Sequence, residues 1–182
     1  NRAKKLRAAS ACSTVFWTYP AFVEYTHFVG RKINVPESPR LRVEGLALAR
    51  RATSISPEFG FAWERVAELE FGFGHTREAA AALDKALELS PHNAQALALK
   101  GFILAARNDI AGATRWFDQA IAADAALGNA WLGRGLCHIR RGDAAAGHHD
   151  LLVAAALEPQ RSLLRSYLGK AFSEIGDNKS AN

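Results

Sequence analysis

The side chains with chemical potential are few, and their spacing limits what they can do. His148-His149-Asp150 places three metal-ligating or acid–base groups in a row. Neighbours on a helix point about 100° apart, so they cannot easily close on one ion, and His138 lies too far off to form an i, i+4 pair. Gly72-Phe73-Gly74-His75-Thr76-Arg77 has the look of a glycine-rich phosphate loop opening a helix. No Gly-Lys-Ser or Gly-Lys-Thr completes it, and no strand pattern precedes it. Cys12 and Cys137 are far apart and have no Cys-x-x-Cys spacing, so they read as two thiols rather than a metal site or a disulfide framework. Cys137, set between Leu136 and His138 in a helical pattern, is expected to be a buried structural thiol. No nucleophile, base and orienting group come together, so the expectation is a non-enzymatic protein with no metal and no cofactor.

Charge narrows the partners further. The 182 residues carry a formal net charge of +5, with 49% hydrophobic and 23% charged residues, which excludes disordered and collagen-like classes. Residues 1–59 hold ten Lys/Arg against four Asp/Glu, whereas the remainder holds thirteen against fourteen. Arg2, Lys4, Lys5 and Arg7 could meet phosphate or anionic lipid, or form a solvated terminal helix. Nucleic acid is not an expected partner, because the rest of the chain supplies no basic groove. The richest apolar run, Ala11 to Val29, is broken by Pro20, Glu24 and His27, so no membrane span is expected. The chain opens on Asn1 and contains no Met, which is the expectation for a segment of a longer protein.

The elements that position these residues repeat with a period of 34. Trp63, Leu97 and Trp131 form one column, and Ala67, Gly101, Gly135 and Gly169 a second. Gly74, Asn108, Gly142 and Gly176 form a third; Ala79, Ala113 and Gly147 a fourth; Leu83, Phe117 and Leu151 a fifth. Ala86, Ala120 and Ala154 follow, and then Pro57, Pro91, Ala125 and Pro159. Between the glycine and proline columns apolar residues recur at helical spacing, as in Ala79, Ala82, Leu83, Ala86 and Leu87, so each unit is two amphipathic helices. The bulky column is expected to fill the gap between paired helices, and the small residue four later to let the backbones approach. Gly74, Asn108 and Gly142 suit a left-handed residue ending the first helix. Thr76, Asp109 and Asp143 are expected N-caps, and the prolines are expected to open the next helix from its first turn.

In these columns the sequence resembles the tetratricopeptide repeat (TPR) family, over 60–93, 94–127, 128–161 and a partial repeat at 162–182. Residues 38–56 resemble the second helix of a degenerate earlier repeat, with Leu41, Val43, Leu46, Leu48, Ala49 and Ala52 on a largely apolar face. Its first helix is missing, because Gly30–Pro36 has no helical pattern. Residues 1–37 are then a basic and aromatic arm, expected to be a short helix or extended segment packed on the array of 38–182. Stretches such as Leu127–Gly135 and Arg165–Lys170 also resemble the TPR region of large bacterial proteins with a FecR-like domain upstream, which implies an envelope-associated or signalling protein, in the cytoplasm or periplasm.

The resemblance implies an all-α, right-handed superhelical solenoid of stacked antiparallel helix pairs. It implies a protein–protein interaction scaffold that grips a peptide or partner segment in a concave groove lined by first helices. The alternative is a structural spacer or self-association module, a homo-oligomer formed through uncapped array ends. Carried across by position, the groove residues are Glu64, Glu68 and Phe71; Gln95, Phe102 and Ala105; Asn129, Leu132, Leu136 and Arg140; and Ser166, Lys170 and Ser173. Family members that clamp a C-terminal carboxylate use Lys and Asn where this chain has Glu64 and Glu68, so that function is disfavoured. Lys100 and Arg134 replace the family's usual leucine. They imply either a polar contact between neighbouring first helices or charges carried to solvent over apolar stems.

Overall fold

The computed structural model describes residues 39–160 together with Tyr167 and Leu168. The arm 1–37 lies outside the described residues, as do Ser166, Gly169, Lys170, Ser173 and Gly176. Among the described residues seven α-helices follow one another and there is no strand. They are α1 (Pro39–Ile55), α2 (Gly60–Gly72), α3 (Thr76–Leu89), α4 (Ala94–Ala106), α5 (Ile110–Ala123), α6 (Gly128–Arg140) and α7 (Ala144–Leu157).

Local chemistry sets the turns. Gly74, Asn108 and Gly142 have φ of 82°, 67° and 87°, the left-handed conformation their column requires. Each is followed by a residue whose N–H reaches back five positions: His75 to the Glu70 carbonyl, Asp109 to Leu104 and Asp143 to His138, at 2.9–3.0 Å. This closes the C-terminus of α2, α4 and α6 in the same Schellman-type turn. Asp109 and Asp143 cap α5 and α7 by accepting from the N–H of Gly112 (2.8 Å) and Ala146 (3.0 Å). Thr76 is the first residue of α3 rather than its cap. Asn93, not among the expected caps, caps α4 by accepting from Gln95 and Ala96 N–H. Pro57 and Pro91 stand in the connecting turns, not in the first turn of the next helix.

The tryptophan column also differs from expectation. Leu97 is buried, but Trp63 and Trp131 remain partly exposed. An indole has a donor to satisfy, and both rings lie where their N–H can bond the turn: Trp63 to the Pro57 carbonyl (2.8 Å) and Trp131 to that of Ala125 (2.9 Å). The acceptors belong to one repeat column, so the same tie from turn to helix recurs two repeats apart.

The chain divides between Ala82 and Leu83 into two compact units. In the first, α1 packs along α2 and buries Ala49 and Thr53. The wide apolar face expected of α1 is not buried: Val43 and Leu48 are 59% and 65% exposed, and Ala52 is exposed.

In the second unit α4 pairs with α5, α6 pairs with α7, and α5 also packs on α6. Its centre is Phe117 of α5, fully buried and edge-on to Phe102, with ring centroids 4.7 Å apart. A Cβ on Gly101 or Gly133 would stand 2.8 Å or 2.3 Å from that ring. Two glycines on two first helices therefore leave the room that Phe117 fills. Gly135 serves the purpose expected of its column, since a Cβ there would meet the Gly147 carbonyl of α7 at 3.0 Å. We expect Gly133→Ala to destabilise the chain by about 1–3 kcal/mol through overpacking. Gly72→Ala, whose Cβ would meet nothing within 4 Å, should leave the melting temperature unchanged or raise it slightly; thermal denaturation of the two variants compares them directly.

Candidate functional site

The first helices α4 and α6 of the second unit touch, and the expected groove residues lie along them. Gln95 is exposed near the start of α4, and Asn129, one repeat period later on α6, is partly exposed. Arg140, at the end of α6, is half-buried and donates from Nη2 to Asn108 Oδ1 at 2.5 Å. Its burial lowers the guanidinium pKa. Phe102 and Leu132 are 4% and 0% exposed, and Ala105 and Leu136 are likewise buried. These four are core residues in this structure, and Phe102 among them packs edge-on against Phe117. Ser166, Lys170 and Ser173 fall outside the described residues.

In the first unit Phe71 is fully buried, and Glu64 and Glu68 are 6% and 2% exposed. The two carboxyls stand one turn apart on α2, with the Arg65 guanidinium bonded to Glu68 Oε2. Glu68 Oε1 is buried with no hydrogen-bond partner. Burial is the main influence on both acids and pushes Glu64 up to about 7, against the pull of Arg65. Glu68 rises to about 8 through burial and the neighbouring Glu64, again against Arg65. The acidic end expected for the groove is thus a protonatable pair inside the fold, not an exposed negative patch.

The remaining charged residues build supports that the sequence reading did not assemble. Glu70, also buried, accepts from the Arg50 guanidinium of α1 and meets His75 Nδ1 at 2.8 Å, so one carboxylate joins α1, α2 and the turn after it. Lys100 bonds Asp84, and Arg134 bonds Asp118 at 2.8 Å. Both pairs span 16 residues and are related by the 34-residue period. Their partners sit on second helices, so neither the expected contact between first helices nor a free solvated charge describes them. The Asp84/Asp118 column was visible in the sequence, but nothing there joined it to Lys100 and Arg134.

Arg134 has a second partner. Its Nε and Nη2 grip both oxygens of buried Asp150 at 2.7 and 2.9 Å, and its guanidinium lies 4.8 Å from the centre of the Trp131 ring. The bonds to Asp150 raise the Arg134 pKa still further above its ordinary value. Both oxygens of Asp150 are therefore taken up by Arg134 in a structural contact. Cys137 is buried, which raises its thiol to about 11, so it stays protonated and unreactive at neutral pH. Among the described residues no three His, Cys, Asp or Glu side chains gather as a metal set, and no helix is long and apolar enough to cross a membrane.

The sequence matches no protein-family model and no curated protein. Solved structures do match. The human RPAP3 first TPR domain superposes with a TM-score of 0.62 at 16% identity, covering 70% of this chain and all of that one. The chain has the TPR fold. The first TPR of Spaghetti (RPAP3), solved with an HSP90 peptide bound, gives a TM-score of 0.60 at 17% identity over 65% of this chain and 94% of that one. A MamA RS-1 double mutant gives 0.61 at 19% identity, over 88% of each chain. In TPR terms α2, α4 and α6 are first helices and α3, α5 and α7 second helices.

Two outcomes follow from the charges. Removing the guanidinium in Arg134→Gln leaves Asp150 buried and unpaired, which should cost about 3–5 kcal/mol. Lys100→Gln releases only the exposed Asp84 and should cost under about 1 kcal/mol; urea titration of both variants measures the gap. For Glu64 and Glu68 the folded pKa lies above the unfolded one. The folded state therefore holds protons that the unfolded state releases, and stability falls as pH rises from about 4.5 to about 8. Glu68→Gln should flatten that slope, and urea midpoints at pH 5 and pH 8 that change equally in variant and parent would count against it.

Proposed function

We propose that this chain is a non-catalytic protein-interaction scaffold that takes a peptide or partner segment on its first-helix face. The observation that carries the reading is the fold itself, shared with an RPAP3 TPR domain solved with an HSP90 peptide bound. First helices side by side give a face on which an extended segment can make contacts at a regular spacing. On this chain the accessible positions of that face are Gln95 and Asn129, one repeat apart, with Arg140 at its end. Phe102 and Leu132, on the same two helices, are buried beneath it. The Lys and Asn of a carboxylate clamp are absent at Glu64 and Glu68, which are buried acids, so no cation at those two positions would receive a terminal carboxylate. The preferred ligand is therefore an internal, hydrogen-bonding segment rather than a free acidic C-terminus. Ser166 and Lys170 would extend the same face.

Selection of a random peptide library on the purified chain tests this reading. Peptides enriched on the parent protein should bind at least tenfold more weakly to Gln95→Arg/Asn129→Arg, while Arg115→Glu, on the exposed surface of α5, should leave binding intact. No enrichment over blank beads, together with light scattering that shows association of copies, would instead favour the spacer or self-association role within a larger bacterial protein.

A further inference from the structure

The repeat columns show that α1 has an unfilled face. They align Gly45 with Ala79, Ala113 and Gly147, and Ala52 with Ala86, Ala120 and Ala154. All six later residues are buried. In α5, which has a first helix on each side, Gly112, Ala113, Phe117 and Ala120 are all buried. Among its described side chains α1 buries Ala49 and Thr53, leaves Gly45 half-exposed and Ala52 exposed, and leaves Leu48 65% exposed. Leu48 and Ala52 lie one turn apart on the same side of the helix. Small and apolar residues at these columns belong to a face that receives a first helix, as Gly147 receives α6 through the Gly135 carbonyl at 2.8 Å from its would-be Cβ.

Among the described residues no first helix precedes α1. The period places one over residues 26–38, where Gly30 and Pro36 interrupt any helix. A helical pattern does occur a few residues earlier. Ala21, Phe22, Tyr25, Phe28 and Val29 fall at i, i+1, i+4, i+7 and i+8, a single apolar stripe. Pro20 suits the first turn of such a helix and Gly30 its C-terminal turn. Residues 30–38 connect Val29 to Pro39, and at up to about 3.3 Å per residue they span roughly 30 Å, enough to lay the segment antiparallel against α1.

We propose that the face of α1 formed by Leu48 and Ala52, bordered by Gly45 where a Cβ would meet Leu69 of α2 at 3.9 Å, is the docking site for residues 20–29 of the same chain, which complete the half-repeat as its first helix. The large rings of Phe22, Tyr25 and Phe28 match a receiving face made of small residues and one leucine. A helix of about ten residues is unstable alone in water, so its order depends on this docking.

Hydrogen exchange followed by mass spectrometry on the full chain tests the proposal. Amides of residues 21–29 should exchange at least tenfold more slowly than an unstructured peptide of the same sequence. Ala52→Arg places a charged side chain on the receiving face, away from the Ala49 and Thr53 side of α1, and should abolish that protection while α4 to α7 keep theirs. Phe28→Asp should do the same from the other partner. Unprotected residues 21–29 in the parent chain, or protection that survives both substitutions, would overturn the proposal. So would protection that disappears on dilution, since it would assign the docked segment to a second copy.

Discussion

Burial of Phe117 between two first helices is the interaction on which the second unit depends. Gly101 on α4 and Gly133 on α6 leave room for the ring by lacking side chains, since a Cβ at either would stand within 3 Å of it. Phe102 turns inward against the ring, and Leu132 on the neighbouring first helix is fully buried. What remains accessible on the first helices is consequently a sparse set of polar positions, Gln95 and Asn129 foremost. The accessible face of the first helices and the core are two sides of one layer of helices, so enlarging a side chain on that layer affects both.

Charge is handled differently in the two units. In the second, Arg134 neutralises buried Asp150 with two bonds and reaches Asp118 with a third, a geometry in which the low dielectric strengthens attraction as well as desolvation. In the first, Glu64 and Glu68 share one nearby guanidinium, Arg65, so burial outweighs attraction and the acids hold protons near neutral pH. Glu70 nearby has Arg50 on one oxygen and His75 on the other, and it acts as a brace between α1, α2 and the turn that follows.

Much of the fold was legible because its determinants are local. A left-handed residue after each first helix demands Gly or Asn, and Gly74, Asn108 and Gly142 satisfy that demand wherever the chain is met. Asp109 and Asp143 cap helices through bonds to residues three positions on. The candidate face was less legible. Glu64 and Glu68 occupy groove positions by repeat phase, yet their exposure depends on what else packs against α2. Trp63 and Trp131 read as gap fillers by size, whereas their N–H groups bond turn carbonyls that size says nothing about.

The sequence by itself determined the period, the all-helical class, the turn positions and the small-residue columns. Each follows from backbone conformation or from side-chain spacing along one helix. Only the tertiary structure decided that Gly133 makes room for Phe117, that Arg134 pairs with Asp118 and Asp150, that Phe102 and Leu132 face inward, and that Leu48 and Ala52 of α1 are bare. These outcomes join residues on different helices, and their physical cause is the competition of several side chains for one volume or one charge.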